Sequence, residues 1–310
     1  MTDEPISPVL GENVDHYGWL KSSDAKNELH QTLYSWHDAV PETVAVVNVI
    51  NTIPNEFVNW YNQGNHNSCV AASSAQAMAW MNWKQIGLKQ YDIWQMYCKI
   101  CDLDQDPVTS CANDVGAFTF ASGDCLKKFG PYEVGKGWKE DQGIDRYLWA
   151  RKGQNGVDDI RSAISFSTQV SNSQICCIGM PWFDKMGASS LKKDENGNWW
   201  FPRHARWGNH VGGHQIGIYD AVDTAQAFGF VNSWGNNWPR KVYMHYDDMI
   251  YLLNQGGECA IFVDKSFDDP NPPPPPPPPP TVESITLTSI VVTDASGSYK
   301  GENIKLPKVA

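Results

Sequence analysis

Gln63-Gly64-Asn65-His66-Asn67-Ser68-Cys69-Val70-Ala71-Ala72-Ser73 is the stretch on which the fold turns. Its first half is polar and turn-rich. Its second half opens the run CVAASSAQAMAWMNW, residues 69–83, which is rich in Ala and Met and contains no Pro or Gly. That composition predicts a buried helix with Ser68 at the N-cap. Cys69 then sits in the first turn, where unpaired N–H groups and the helix dipole favour a thiolate. Gln63, six residues earlier, can return its side-chain amide towards the same point. There it would donate to the oxygen of an attacked carbonyl, beside the backbone N–H of Cys69.

Two later segments carry the complementary groups. In Gly212-Gly213-His214-Gln215-Ile216-Gly217, a histidine opens an apolar strand behind two glycines, which allow close backbone approach. In Val231-Asn232-Ser233-Trp234-Gly235-Asn236-Asn237-Trp238, an apolar strand ends on an asparagine that can hold a histidine N–H, with a tryptophan to cover the bond. Each segment has an ordinary reading by itself. A buried cysteine at a helix start is commonly a small core residue, and Asn-Ser-Trp-Gly can be a plain turn. The order Gln, Cys, His, Asn supplies together the groups that nucleophilic acyl transfer needs.

These three segments resemble the papain-like cysteine peptidases, in their bacterial or viral-type branch. Gln-Gly precedes Ser-Cys and a helix, and GGHQIGIYDA is followed by FVNSWGNNW. The nucleophile and histidine positions lie 145 residues apart, and the asparagine follows 18 residues later. The similarity covers about residues 40–265. It implies an α+β, papain-like fold: a helical sub-domain packed against a β-barrel-like sub-domain, with the active-site cleft between them. It implies Cys69 as nucleophile, paired as thiolate with an imidazolium His214, Asn232 as orienter of the ring and Gln63 in the oxyanion hole. Trp234 would shield the pair. Residues 114–117 (DVGA) resemble the glycine region that binds substrate backbone, although a helix-start turn reads equally well. Gly116, Gly213 and Trp234 are the substrate-binding candidates. No cofactor and no metal are implied, and the partner is a protein or peptide substrate.

The departures from the family pattern are local. His66 stands where many secreted relatives have a cysteine, Val70 replaces the aromatic that often follows the nucleophile, and Pro239 replaces a glycine. No inhibitory pro-segment is evident in the sixty or so residues before the nucleophile. The reading is therefore a cysteine-type endopeptidase working through an acyl-enzyme. A catalytically weak papain-fold component of a larger virion or surface assembly, and an acyl transferase to amines, stay open beside it.

The chain has 310 residues, 41% hydrophobic and 12% aromatic, ample for a large core or two modest ones. A formal net charge of -11 without a Lys/Arg cluster disfavours nucleic acid and anionic membrane as partners. The N-terminus lacks the basic start and apolar run of a secretory leader, and no apolar stretch is long enough to span a bilayer. The expected location is cytoplasmic or virion-associated. Cys98, Cys101, Cys111 and Cys125 fit zinc ribbons only loosely, so reduced thiols or one disulfide are expected.

Further helices are expected at residues 91–101, 118–129 and 157–166, with an amphipathic stretch at 25–36. Strands are expected at 174–180, 214–219, 227–232, 242–246 and 258–263. Trp182, Trp199, Trp200 and Trp207 read as core or rim packing before pocket lining. The peptidase domain is placed at residues 1–267. Residues 268–280 form a linker containing nine consecutive prolines, a polyproline II spacer of roughly 28 Å. Residues 281–310 alternate in β fashion and read as an attachment segment for an assembly partner.

Overall fold

The computed structural model describes residues 18–21, 35–39, 46–104, 108–169, 174–265, 286–294 and 297–305. The proline run and most of the amphipathic stretch 25–36 lie outside them. Two compact units divide between Asn271 and Pro272.

In chain order the first unit begins with β1 (Trp19–Leu20), α1 (Trp36–Ala39), β2 (Asn48–Val49), α2 (Asn55–Trp60), α3 (Cys69–Ile86) and α4 (Ile93–Asp104). There follow β3 (Ala117–Phe118), α5 (Thr119–Phe129), β4 (Tyr132–Glu133), β5 (Gly137–Trp138), β6 (Ile144–Trp149) and α6 (Gly153–Gln169). The last part is β7 (Gln174–Phe183), β8 (Lys192–Lys193), β9 (Trp199–Trp200), β10 (His210–Val222), β11 (Ala227–Val231), β12 (Val242–His245), α7 (Tyr246–Asn254) and β13 (Glu258–Asp264). The second unit is an antiparallel hairpin of β14 (Thr286–Asp294) and β15 (Gly297–Lys305).

The main sheet has nine strands in the order β6-β13-β7-β10-β11-β12-β9-β8, with β2 pairing β10 off that path. The path is open. Its end strands β6 and β8 do not pair, so the described residues form no closed barrel, contrary to the β-barrel-like expectation. Both faces are covered, and alternation along the strands shows how. In β7, Ile175 and Cys177 join the core built around α3, α4 and α5, whereas Cys176, Ile178 and Met180 join the core beneath α6 and α7. Successive side chains of a strand point to opposite faces, so one sheet serves two cores. Among the described residues no helix is long and apolar enough to cross a membrane.

Helix α3 is the axis of the helical layer. It is buried for most of its length, as its Ala-rich run requires, and it stops where Gly87 takes φ 74°. Ser68 occupies its N-cap, but the hydroxyl makes no capping hydrogen bond. Helix α4 starts later than expected, because Tyr91 is taken by a bridge to Glu133 and the Asp92 carboxylate receives the Gln95 N–H at 3.0 Å. Strand β10 starts four residues before His214, where His210 pairs with Phe183 and Gly213 with Pro181. The expected 174–180 strand likewise runs on to Phe183. Helix α7 and strand β6 escape the sequence reading, because a nine-residue helix and a six-residue strand carry weak periodic signals.

Gly130 closes α5 at φ 69°, and a Cβ there would lie 1.8 Å from the Lys139 carbonyl oxygen. Gly130→Ala should therefore destabilise the chain by about 2 kcal/mol or more, through strain and backbone clash together. Urea unfolding of wild type and variant measures this, and equal midpoints would contradict it.

Candidate active site

Cys69 opens α3 with its sulfur fully buried. The backbone N–H of Gln215 donates to it at 3.4 Å, and the N–H groups of Gly18, Val70 and Cys69 itself also point at it. Gln215 is the residue directly after His214, so the histidine strand adjoins the sulfur through its own backbone. The His214 ring is fully buried, and its Nε2–H donates to Asn232 Oδ1 at 2.7 Å. The same oxygen receives the Ser233 N–H at 2.8 Å, which fixes which way the Asn232 amide faces. Trp234 stacks on the imidazole at 4.6 Å with 27° between planes, and Trp182 meets it edge-on at 4.8 Å.

Gln63 is buried in the loop before α3. Its N–H donates to the Ser233 carbonyl at 2.8 Å, and its Oε1 accepts the Ser233 hydroxyl at 2.6 Å. Its Nε2 donates to the His66 carbonyl at 2.8 Å. Gln76, two turns further along α3 on the same face as Cys69, donates to the Asn232 carbonyl at 3.2 Å. The loop and the helix that carry Gln63 and Cys69 are thus bonded to the segment carrying Asn232. The four residues named from the sequence as catalytic candidates lie in one hydrogen-bonded neighbourhood.

Gly116 and Gly213 do not face open solvent. Residues 18–20 run between them. Gly18 bridges Gly213, β1 pairs in parallel with β3, and the Ala117 N–H donates to the Gly18 carbonyl at 2.7 Å. A Cβ on Gly116 would lie 2.3 Å from the Gly18 oxygen, and one on Gly213 would lie 2.2 Å from the Trp19 oxygen. Trp234, the third substrate-binding candidate, covers the histidine instead. The expectation that no segment of the N-terminal stretch covers the site meets a counter-observation here, because the Gly18 N–H points at the sulfur of the nucleophile candidate. Only the dipeptide Gly18-Trp19 hints at this, since one residue permits close backbone approach and the other a large burial.

That cover sets the electrostatics. Burial pushes the Cys69 thiol up to about 12, against the four N–H groups that favour the anion. Burial also pulls the His214 imidazole down to about 4, against the Asn232 hydrogen bond. Charged forms are penalised when water is removed. In this covered state burial thus disfavours the two charged forms that the expected thiolate–imidazolium pair requires.

The loop facing α3 is braced from outside. Cys98 and Cys111 form a disulfide between α4 and that loop, which answers the zinc-or-disulfide question for those two sulfurs. Cys101 and Cys125 are free and buried. Asp114, at φ 49°, receives the Asn67 N–H at 2.9 Å and lies 3.2 Å from His66 Nδ1. Trp182 and Trp207 are fully buried in the core of the sheet's second face, as expected for packing residues, with Trp199 half-buried beside it and Trp200 half-buried against Val222, Ala227 and Tyr243.

Among solved structures the chain is similar to xylellain, a cysteine protease from Xylella fastidiosa, with TM-score 0.56 and 18% identity over 82% of this chain and 97% of that one. Procathepsin B S9 from Trypanosoma congolense aligns at TM-score 0.46 and 11% identity, over 72% of this chain and 84% of that one. The first likeness shows the fold, that of papain-like cysteine proteases; the second is too distant to add weight. No family model and no curated protein matches the sequence.

A histidine held neutral by burial stabilises the fold only while the unfolded chain is neutral too. The His214 contribution is complete above its ordinary value of 6.5 and is lost as pH falls towards about 4. Urea stability should therefore fall with pH across that window, and less steeply in His214→Gln. Equal slopes for the two proteins would refute the buried neutral imidazole.

Proposed function

We propose that this chain is a cysteine-type endopeptidase held in a covered state. Cys69 is the nucleophile, His214 the general base and acid, Asn232 the residue that orients the ring, and Gln63 a donor to the oxyanion. The observation that carries this reading is the His214–Asn232 hydrogen bond, roofed by Trp234, on the strand whose next amide touches the Cys69 sulfur. A core histidine needs no such roof and no cysteine at its side.

The covering residues present the sulfur with the wrong group. The Gly18 N–H faces it, and the Gly18 carbonyl is committed to the Ala117 N–H. A nucleophile that meets a hydrogen-bond donor has no electrophile to attack, so residues 18–20 block the site without being cut there. When they leave, water and substrate enter the groove between the helical layer and the sheet. Rehydration lowers the thiol pKa and raises that of the imidazole, and the proton passes from sulfur to His214.

The thiolate then adds to a peptide carbonyl. Gln63 and the Cys69 N–H receive the negative oxygen, and His214 protonates the leaving amine. Water, deprotonated by His214, hydrolyses the thioester and regenerates the thiol. Gly116 and Gly213 offer their backbones to the substrate at the places residues 18 and 19 now fill. Residues 1–267 form the peptidase domain in this reading, 268–280 a spacer and 281–310 an attachment segment for an assembly partner.

The test is hydrolysis of an unfolded protein by wild type and by Trp19→Ala, each with and without Cys69→Ala. Turnover is expected to be faster in Trp19→Ala and absent wherever Cys69 is replaced. Gln63→Ala in the uncovered chain should lower kcat about 10²–10³-fold, the usual cost of one oxyanion donor. Hydrolysis that survives Cys69→Ala at the parental rate would overturn the assignment.

A further inference from the structure

The Trp19 side chain is the part of the covering segment that enters the body of the molecule. It is 5% exposed, and its indole lies against two glycines of the sheet. A Cβ on Gly179 would stand 2.0 Å from the indole Nε1, and one on Gly213 would stand 2.5 Å from Cε3. Gln215 pairs with Gly179 and Gly213 with Pro181, so all four share one face of β10 and β7. On that face the missing side chains at 179 and 213 leave the recess that the indole fills. Any other residue at Gly179 would fill it.

One polar group meets the indole edge. Its N–H donates to Thr119 Oγ1 at 3.1 Å. The Thr119 hydroxyl donates in turn to Gln215 Oε1 at 2.7 Å, and Gln215 Nε2 donates to Ser73 Oγ at 2.8 Å. The Ser73 hydroxyl donates to the Cys69 carbonyl at 2.9 Å. Thr119, Gln215 and Ser73 are all fully buried. Every proton in this chain runs away from the recess, towards the start of α3. Thr119 has spent its hydrogen on Gln215, so towards the recess it can only accept. Indole N–H is a donor and never an acceptor. A phenyl or aliphatic group would leave a buried oxygen without its donor, which is how buried polar groups reject analogues that lack the matching atom.

We infer that this recess is a side-chain specificity site for tryptophan in a peptide ligand, with Gly179 setting its width and Thr119 reading the indole N–H. Trp19 is the intramolecular occupant, and a peptide substrate bearing Trp takes its place when residues 18–20 leave. The inference rests on the peptidase reading for what the ligand is used for, but the recess itself can be tested by binding alone. Glu258, buried and paired with Gly179 from the neighbouring strand, makes a basic side chain the competitor to include.

The full chain with Trp19→Ala and Cys69→Ala has the recess vacated and no nucleophile. Calorimetric titration with the nine-residue peptide of positions 15–23, carrying Trp, Phe, Leu or Arg in place of Trp19, measures the preference. The Trp peptide should bind about fivefold more tightly than Phe, the worth of one buried neutral hydrogen bond, and more tightly still than Leu or Arg. Adding Thr119→Val should collapse the Trp-to-Phe ratio towards one while Phe binding holds. Gly179→Ala should abolish binding of both aromatic peptides. Equal or tighter binding of the Leu or Arg peptide, or an unchanged ratio in Thr119→Val, overturns the proposal.

If the double variant does not fold by circular dichroism, the single variants Trp19→Phe and Trp19→Leu serve in the full chain. Alkylation of Cys69 should then quicken from wild type to Phe to Leu, and identical rates overturn the proposal. With Cys69 present, Trp19→Ala should cut peptides that carry Trp at one fixed distance from the broken bond. Cleavage without that preference counts against the recess. Selective Trp binding with no cleavage of any peptide counts against the peptidase reading alone.

Discussion

The side chain of Gln215 crosses from the sheet to the helical layer, and the rest of the site is built around that crossing. Its backbone N–H reaches the Cys69 sulfur, its Nε2 reaches Ser73 within α3, and its Oε1 receives Thr119 from the first turn of α5. All of these groups are buried, where an unmade hydrogen bond costs far more than it would at the surface. Strand β10 therefore cannot slide along α3 without leaving several polar atoms unmatched. The position of His214 beside the start of α3 follows from this constraint. So does that of Asn232, because β11 pairs with β10, Val231 opposite Gly217, and Gln76 ties the end of β11 to α3.

The same burial that fixes the geometry silences the charges. Four N–H groups surround the sulfur, and a helix start lies behind it, yet the covered thiol is pushed up to about 12. Desolvation outweighs the donors because no water reaches the buried sulfur to share the charge. The arrangement that would ionise an exposed sulfur thus holds a neutral one while it is covered. The cover stays through backbone pairing on both sides and through one large side chain, Trp19, whose indole is received by two glycines and a hydroxyl.

Much of the candidate site is legible in the residues. Cys69, His214 and Asn232 each sit in a short segment with its own physical signature: an Ala-rich helix start, a strand behind two glycines, and an apolar strand ending on a polar residue beside tryptophan. Gln63 is legible through its place in the loop before the helix. Thr119 and Gln215 are not, because each is an unremarkable polar residue until three separate elements meet around it. The open sheet is not legible either. Strand alternation reports which faces are buried but not whether the last strand returns to the first.

Sequence alone determined that a cysteine would stand at a helix start and a histidine and an asparagine at strand positions, because those placements follow from local periodicity and residue chemistry. Only the tertiary structure decided that Gly18 meets the sulfur, that burial works against charge on both titrating groups, and that the Trp19 indole is received beside them. These depend on desolvation and on contacts between residues about fifty to two hundred positions apart, and no local pattern in the chain encodes such distances.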